Sequence, residues 1–439
     1  MRLAVLILAV MFLAVGSSWA QTTAPAKPPG PAPTSQSAGT PPGPVIDAAR
    51  YFDPNSPTCG LQEAIDAVSP AGGVVVIPPG VYTLRRGLVL RSGLALRGSG
   101  AATVLRKHPA FMSLLAANCP IGAREIEVKD TAGFEVGSEI GVWDRENGGW
   151  HVTHAIVKAV KGGRVSLDRP TTRQYQTGRG ALAVNFFPAL TAEAQSALAI
   201  ESLQIDGNLP RQPADAPIDF TFAAVHLVNC TRARASDLWV TLWPGDGISV
   251  QGGSDIQVIG CTVSRCRGHG FHPGTSLTNA VFTGNIAREN GWDGLYFCAK
   301  VRYCTVSGNV FSFNGWSGIG GLGDGGDEWN TCSANTCVAN GRAGIQVNNG
   351  RNNTATGNVC VNNSRSAPGQ WAGIAIQNAA ACLVTGNRCG DDQTPPTQHV
   401  GIAESGQSDH NLISGNHLGG SKKAVDKVGP HTQAVGNLE

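Results

Sequence analysis

A short glycine-centred phrase recurs at nearly constant spacing through the second half of the chain. It reads DGISV, HGFHP, DGLYF, SGIGG and AGIQV, and its glycines are Gly247, Gly270, Gly294, Gly318 and Gly344. By subtraction these glycines lie 23, 24, 24 and 26 residues apart, and weaker copies follow at Gly373 and Gly401. A fixed period of this length indicates stacked structural units, because a single unit cannot bury its own apolar side.

The repeated units carry strand and turn signals rather than helical ones. Apolar and polar residues alternate over short runs, and each run is broken at Gly or Asn. A second repeated series is out of phase with the first. It places one Asn in each copy, and this Asn follows Gly in every copy but one. Its asparagines are Asn285, Asn309, Asn335, Asn358, Asn387, Asn416 and Asn437.

These phrases, such as VSGNVFSFNGWSGIG, resemble the right-handed parallel β-helix of the pectin-lyase-like superfamily. The stretch GGVVVIPPGVY from Gly72 to Tyr82 is similar to the first coil of carbohydrate-active members. The resemblance covers roughly residues 45–107 and 195–437 and implies an all-β solenoid with coils about 4.8 Å apart. The recurring Asn then suggests a ladder of stacked side-chain amides. The reaction stays open, because this fold hosts lyases, hydrolases, epimerases and adhesins.

The chain begins with the features of a secretory signal peptide. Arg2 precedes an apolar run from Leu3 to Val15, and small residues follow as far as Ala20. Residues 1–20 are therefore expected to be removed, and an uncleaved membrane anchor is the alternative. The Pro-rich residues 21–44 are expected to be a linker. The mature protein is expected to be secreted, periplasmic or attached to the cell surface.

Composition restricts the partners. A formal charge of +2 argues against nucleic acid and anionic membranes. No later segment is apolar enough to span a membrane after signal cleavage, and a monomer is expected. Disulfides are permitted in an exported chain. However, Cys337, Cys360 and Cys389 each follow a series asparagine by two positions, which favours stacked, buried thiols, with one or two bridges as the alternative.

Residues 45–439 are expected to form one β-helix domain with two additions. A helix near its start is predicted by four apolar residues on one helical face, Leu61, Ala64, Ile65 and Val68. Thr58 is expected to cap this helix, and in the resembling family such a helix closes the open end of the solenoid. Residues 108–190 interrupt the repeat with short alternating segments, which predicts a small β-rich insertion on one flank.

Ionisable residues gather on three successive repeats. The position before the repeated glycine is Asp246, His269 and Asp293 in turn, and it is uncharged in the later copies. Three positions further on stand His272 and Tyr296. Adjacent coils place equivalent side chains roughly 5 Å apart, so these five groups are predicted to form one catalytic cluster. The alternative is a stack of ordinary turns, in which Asp before Gly is common.

A saccharide is the partner that the neighbouring residues favour. Trp243, Trp292 and Trp316 lie near the equivalent turn of three coils, and Arg342 follows on the next coil. Aromatic faces bind the apolar side of a sugar, while acids and imidazoles bind its hydroxyl groups. Arg342 is a candidate partner for a uronate carboxylate, with a plain surface position as the alternative.

An acidic, glycine-rich loop is the only metal site that the sequence suggests. Asp324, Asp327 and Glu328 cluster there, and calcium binds clustered carboxylate and carbonyl oxygens. Their spacing matches no EF-hand loop, so a solvated loop is the alternative, and no other cofactor is implied.

Three functions fit this constellation. β-Elimination on an acidic, uronate-containing polysaccharide needs a base, His269 or His272, and an acid, Tyr296, with a cation or Arg to neutralise the carboxylate. Inverting glycoside hydrolysis would use Asp246 and Asp293, which lie two coils and about 9–10 Å apart and fit the separation of roughly 6.5–9.5 Å. A non-catalytic carbohydrate-binding or cell-surface structural solenoid is the third.

The segment GHGFHPG, with the later NGWDGLYFC, also resembles the catalytic region of mannuronan C5-epimerases. In that family a Tyr-Gly-Phe-Asp-Pro-His phrase and a later Asp carry the reaction. The family's Tyr falls on His269, its Asp on His272, its His on Gly274 and its later Asp on Cys298. The resemblance therefore implies the location of a site, but the epimerase residues themselves are not retained.

Overall fold

A computed structural model describes residues 43–146, 151–323 and 325–439. The predicted signal peptide and residues 21–42 of the predicted linker lie outside these ranges. Within the described ranges, no helix is long and apolar enough to cross a membrane.

The chain winds into a right-handed parallel β-helix, which confirms the fold predicted from the repeat. One wall is a parallel sheet of 11 strands, here called the site sheet, with one strand from each successive coil. Its strands, in order along the sheet, are Leu88–Val89, Leu190–Glu193, Val225–Val228, Ile248–Gln251, Phe271–Gly274, Leu295–Tyr296, Ile319–Leu322, Ile345–Asn348, Ala372–Gln377, Val400–Ser405 and Lys423–Asp426.

A sheet of 20 strands forms the remaining walls. Most coils contribute two strands of three residues to it, and a few early coils contribute one long strand. The strands are Val45–Asp47, Gly73–Val76, Gly80–Leu84, Leu94–Lys107, Ser196–Asp206, Thr231–Thr241, Gln257–Ile259, Thr262–Ser264, Val281–Thr283, Ile286–Arg288, Thr305–Ser307, Val310–Ser312, Thr331–Ser333, Thr336–Val338, Thr354–Thr356, Val359–Val361, Leu383–Thr385, Arg388–Gly390, Leu412–Ser414 and Gln433–Val435.

The repeated glycines mark places where neighbouring coils nearly touch. A Cβ atom added to Gly270 would lie 2.5 Å from the carbonyl oxygen of Gly294, and one on Gly318 would lie 2.7 Å from that of Gly344. Both distances are too short for any side chain, so glycine is required at these positions. The residue after each of these glycines points inward and stacks on its neighbours, forming a buried column of Ile248, Phe271, Leu295, Ile319, Ile345, Ile374 and Ile402.

The asparagine ladder is present. The seven asparagines from Asn285 to Asn437 are linked in series, each side-chain N–H donating to the amide oxygen of the next coil's asparagine at 2.9–3.0 Å. A second ladder, which the sequence analysis missed, runs through Asn290, Asn314, Asn340, Asn363 and Gln398. These ladders pair buried polar groups at the corners of successive coils.

The cysteines are packed as the Asn-x-Cys spacing predicted. Cys337, Cys360 and Cys389 are fully buried and lie in register on adjacent coils. All twelve thiols are free, and eleven of them are buried. The exception is Cys298, which is half-buried.

The predicted capping helix spans Leu61–Asp66, but Thr58 does not cap it. The N-cap is Gly60, in left-handed backbone with φ +80°. The Thr58 hydroxyl instead donates to the Glu63 carboxylate. Short 3₁₀ turns occupy Ala48–Tyr51, Thr177–Arg179, Leu209–Arg211 and Phe220–Phe222.

A six-stranded antiparallel sheet lies where the sequence predicted the insertion. Its strands are Met112–Leu114, Glu125–Glu127, Glu139–Trp143, Thr153–Lys161, Arg164–Leu167 and Leu182–Val184. It has an apolar core of its own. Lys107 is buried where this sheet meets the solenoid, and its ammonium group donates to the Asn185 carbonyl at 2.5 Å and faces the ring of Phe187 at 4.4 Å.

Lys107 makes stability depend on pH. Burial lowers its pKa to about 7, and the nearby Glu139 offsets only part of that effect. Between pH 7 and the ordinary lysine value of about 10.4, the unfolded chain binds the extra proton, so the contribution of Lys107 to stability rises with pH. Below pH 7, Lys107→Met is expected to have a free energy of unfolding roughly 3–5 kcal/mol higher relative to wild type than it has near pH 10, where this gain vanishes. Urea unfolding across this range measures it. The exposed Lys129→Met is the control, and a difference that does not change with pH contradicts the expectation.

Candidate functional site

The structure brings the five predicted catalytic residues together. Asp246, His269 and Asp293 each lie two residues before one of three adjacent strands of the site sheet, and His272 and Tyr296 lie within two of these strands. We call these five residues the site cluster. Its two acids and two imidazoles are each at most 3% exposed, and Tyr296 is half-buried. Such a density of buried ionisable groups is typical of functional sites.

Asp246 holds His272 in place. Its Oδ2 accepts from Nδ1 of His272 at 2.7 Å, and its Oδ1 accepts from the backbone N–H of His269 at 2.7 Å. Burial alone raises the pKa of Asp246, but the bond from His272 and the charges of both imidazoles lower it below its ordinary value. Asp246 is therefore a carboxylate. A Cβ on Gly268 would lie 2.0 Å from Oδ1, which explains the glycine at that position.

His272 is a buried cation with one unused nitrogen. Its Nε2 has no hydrogen-bond partner. Burial lowers the pKa of His272, but the bond to Asp246 and the interaction with Cys298 outweigh it and raise the pKa to about 10. At neutral pH both ring nitrogens therefore carry protons, and the Nε2 proton is directed away from Asp246.

His269 joins the acids to the aromatic residues of the cluster. Its Nδ1 accepts from the backbone N–H of Asp293 at 3.2 Å and lies 3.3 Å from the Asp293 carboxylate. Its ring stacks on Tyr296, with centroids 4.5 Å apart and planes at 7°. The centroid of the His272 ring is 5.1 Å away. These contacts fix the position of the Tyr296 ring beside both imidazoles.

A row of flat side chains lines the edge of the site sheet beside the cluster. Trp292 and Trp316 stack with centroids 5.2 Å apart and planes at 14°. The Arg342 guanidinium lies 4.1 Å from the Trp316 ring and 5.6 Å from the Trp371 ring. We call these four residues the aromatic stripe. Trp371 was not predicted from the sequence, although it occupies the same position as the other three, two residues before a repeated glycine.

Trp243 is not part of this surface, which corrects its assignment as a sugar-binding residue. It is fully buried in the solenoid core. Its indole N–H donates to the carbonyl oxygen of Phe222. Phe222 belongs to the 3₁₀ turn Phe220–Phe222 of the preceding coil, and the fully buried indole cannot contact a ligand.

The calcium site predicted at Asp324, Asp327 and Glu328 is not supported by the described residues. The two oxygens of Asp327 accept from the backbone N–H groups of Val301 and Gly323, at 2.6 and 3.3 Å. Glu328 instead pairs with Arg302 at 3.6 Å. Asp324 lies outside the described residues. Asp327 and Glu328 are therefore both engaged by protein groups.

Imidazole-containing groups are better placed for a metal than that loop. Asp246, His269 and His272 have ligand atoms within 4.8 Å of one another. A second, largely exposed group of the same kind, Asp409, His410 and His431, lies near the end of the chain.

A groove lies between the insertion and the first coils of the site sheet. It has a volume of about 860 Å³ and is lined by His154 of the insertion and by Thr191 and His226 of the site sheet, among others. The Phe220 ring lies between the rings of His226 and His272, at 6.0 and 5.9 Å. Phe220 thus contacts both His226, which lines this groove, and His272 of the site cluster.

Known proteins share the fold. A family described as periplasmic copper-binding protein (NosD) matches residues 212–368. The A-module of the Azotobacter vinelandii mannuronan C-5 epimerase AlgE4 is similar with a TM-score of 0.57 and 16% identity, over 90% of this chain and 100% of that one. The corresponding AlgE6 module gives 0.56 and 16%, over 90% and 98%. A Thermotoga maritima exopolygalacturonase gives 0.55 and 12%, over 90% and 92%.

No curated protein sequence matches the chain significantly. At the identities of the similar structures, the likeness concerns the fold alone. The chain therefore has the right-handed parallel β-helix fold of the pectin-lyase-like proteins.

Proposed function

We propose that the protein cleaves an acidic polysaccharide by β-elimination at a uronate residue. One observation carries the proposal: the buried His272 imidazole, fixed by Asp246, has an unpartnered Nε2, and its ring lies 5.2 Å from that of Tyr296. Elimination requires such a pair, a fixed cation for the carboxylate and a group that moves a proton. Two of the similar structures are, by name, enzymes of uronate polymers, which supports this substrate class.

His272 is assigned to the substrate carboxylate. With both nitrogens protonated it cannot act as the base, which is the role that the sequence analysis gave to His269 or His272. Its Nε2–H can instead donate to a uronate carboxylate and neutralise its charge. That neutralisation stabilises the negative charge that develops when C5 loses its proton.

Tyr296 is assigned to proton transfer. The neighbouring His269 already contacts the Asp293 backbone N–H and carboxylate through Nδ1, and its ring stacks on Tyr296, so the proton-transfer role is assigned to the phenol. Acting as a phenolate, Tyr296 removes the C5 proton; the electron pair forms the C4–C5 double bond and breaks the C4–O4 bond. The phenol then delivers the same proton to the departing O4. No water is consumed, and Tyr296 returns to its starting state.

Hydrolysis finds less support. An inverting hydrolase needs one carboxylic acid that is protonated at working pH. The hydrogen bond from His272 and the neighbouring imidazoles lower the pKa of Asp246, despite its burial, and both of its oxygens are already bonded. The aromatic surface alone would also suit a non-catalytic binding protein, so that role is an outcome of the test below.

The aromatic stripe is assigned to substrate binding. Arg342 lies against Trp316, with its guanidinium carbon 4.1 Å from the ring centroid, and can pair with a second uronate carboxylate. Arg342→Met is expected to raise KM about tenfold and to leave kcat within about twofold, because the contact is the same in the ground and transition states. Arg388→Met, on the exposed face of the 20-stranded sheet, is the control. A fall in kcat with unchanged KM contradicts a binding role.

The reaction is tested by incubating the mature protein with a panel of uronate polysaccharides, with and without calcium. The expected result is increasing ultraviolet absorbance from the unsaturated uronate, with one new reducing end for each double bond. New reducing ends without absorbance identify a hydrolase. Binding without either product identifies a carbohydrate-binding protein.

We also propose that the protein acts outside the cytoplasm as a monomer. The predicted signal peptide supports export, and the matched family is described as periplasmic. Mass spectrometry of the protein from the periplasm or medium, with a mature start at Gln21, together with its mass in solution, tests both statements.

A further inference from the structure

Three metal-binding residue types meet on two adjacent coils near the end of the chain, outside the site cluster. Asp409 and His410 belong to one coil and His431 belongs to the next, and their ligand atoms lie within 4.8 Å of one another. We call these three residues the second triad. The elimination proposed above does not use them.

The Asp409 carboxylate lies close to both imidazoles. Its Oδ2 accepts from Nδ1 of His431 at 2.7 Å and lies 3.7 Å from Nε2 of His410, which is too far for a hydrogen bond. The two imidazole rings stack in parallel, with centroids 4.7 Å apart and planes at 5°. One carboxylate oxygen and two imidazole nitrogens are thus gathered within a small volume.

These separations suit a tetrahedral zinc ion. Zinc binds imidazole nitrogen and carboxylate oxygen at about 2.0–2.2 Å, so two donors of one tetrahedral site lie roughly 3.3–3.5 Å apart. The observed 2.7 and 3.7 Å fall on either side of that separation, and small rotations of the exposed His410 and His431 side chains reach it. Calcium and magnesium prefer sites made of oxygen ligands, which the second triad does not offer.

A backbone hydrogen bond orients the carboxylate. Oδ1 of Asp409 accepts from the backbone N–H of His431 at 2.7 Å. Hydrogen bonds to a metal-binding carboxylate hold it in the orientation that the ion requires. Asp409 is therefore already fixed to the coil that carries His431.

The turn itself does not require an acid and an imidazole. Asp409 pairs with Ala380 on the preceding coil. The residue after each of them stands at a corner in left-handed backbone, His410 with φ +58° and Ala381 with φ +54°. The preceding coil thus makes the same turn with two alanines, so the donors of the second triad need another explanation than the shape of the repeat.

We propose that the second triad binds a zinc ion and thereby joins the last two coils that the structure describes. The ion replaces the proton between Nδ1 of His431 and the Asp409 carboxylate, and that proton passes to solvent. Three protein ligands leave the fourth position of the tetrahedron to water or an anion. The strand Gln433–Val435 is stabilised most, because its residues are exposed and it pairs with only one strand in the described part of the chain, Leu412–Ser414.

This zinc site is independent of the elimination reaction. The second triad shares no residue with the site cluster or the aromatic stripe, and zinc bound there takes no part in removing the C5 proton. His431→Gln therefore changes zinc binding and not kcat. The triad also lies outside residues 212–368, the part of the chain that the copper-binding family matches.

Calorimetric titration of the metal-free mature protein with zinc chloride tests the site. Wild type is expected to bind one zinc ion whose affinity falls roughly tenfold or more in His410→Gln and in His431→Gln, because each variant loses one of three ligands. His417→Gln is the matched control, since His417 is exposed and follows Asp409 on the same coil but lies outside the triad. Its zinc affinity is expected to equal that of wild type.

Hydrogen exchange followed by mass spectrometry tests the link between the coils. Zinc is expected to slow amide exchange in the peptide that contains Gln433–Val435 roughly tenfold in wild type, and to leave it unchanged in His431→Gln. Calcium chloride at the same concentration is expected to slow this exchange in neither protein.

Equal zinc affinity in wild type and both triad variants overturns the proposal, as does an equal loss in His417→Gln. Loss of the zinc ion in His272→Gln alone would locate it at the site cluster, and this result also overturns the proposal. Unchanged exchange in the presence of bound zinc would contradict the link between the coils. No polysaccharide is present, so these outcomes do not depend on whether the protein is a lyase.

Discussion

His272→Gln is expected to lower kcat for elimination by roughly 10²–10⁴-fold while the protein stays folded. Glutamine can still donate one hydrogen bond, but it cannot supply the positive charge that Asp246 maintains on the imidazole. The uronate carboxylate then keeps its charge, and the C5 proton remains too weakly acidic to remove. Initial rates of absorbance increase at saturating substrate measure the effect.

A matched control lies near the other end of the solenoid. His431 donates from Nδ1 to Asp409 across 2.7 Å, the same distance as in the Asp246–His272 pair. His431 and Asp409 are both more exposed than that pair and lie outside the site cluster. His431→Gln is expected to leave kcat unchanged. Full kcat in His272→Gln, or an equal loss of kcat in both variants, would mean that the Asp246–His272 pair has no special role in catalysis.

Asn335→Ala is expected to lower the free energy of unfolding by roughly 3–6 kcal/mol. The side-chain oxygen of Asn335 accepts both the backbone and the side-chain N–H of Asn309, and its amide donates to Val306 and Asn358. Alanine removes all four hydrogen bonds and leaves buried donors and acceptors that water cannot reach. Each unsatisfied buried group costs about 1–3 kcal/mol.

Urea unfolding followed by circular dichroism measures this loss. The exposed Asn55→Ala is the control and is expected to change the unfolding midpoint very little. A midpoint for Asn335→Ala that matches wild type would show that the ladder does not stabilise the stack. If only the central coils unfold, the free energy of unfolding will depend less steeply on urea concentration. That result would show that the repeat array unfolds in parts.

The fold could be predicted because each coil repeats the same local requirements. Gly270 and Gly318 are required by the approach of the next coil, and Asn335 by the need to pair its neighbours at a corner. One residue per coil at a fixed spacing is enough to identify such columns. The same register brought Asp246 and His272 together, so the location of the site also followed from the repeat.

Features that depend on departures from the repeat could not be predicted. The direction of Trp243 is set by the 3₁₀ turn containing Phe222, in a loop outside the repeat, and its indole packs inward. The role of Asp327 is set by the backbone N–H of Val301, which only the folded loop presents. The composition and the residue spacing of the sequence are the same whichever way the Trp243 and Asp327 side chains point.

The interaction between His272 and Cys298 was missed for a different reason. Columns in the sequence identify residues directly opposite each other on adjacent coils, whereas these two stand two positions apart along the strand direction. Side chains at such diagonal positions share a face and can interact. Comparing each column with its neighbour two positions away would have found this pair.

The central claim is that this site removes the C5 proton of a uronate. Proton NMR of a uronate polysaccharide, incubated with the protein in D₂O, tests it most directly. The expected result is loss of the H5 signal together with a new olefinic H4 signal, both absent with His272→Gln. An intact H5 signal across the whole panel, with or without chain cleavage, would contradict the claim.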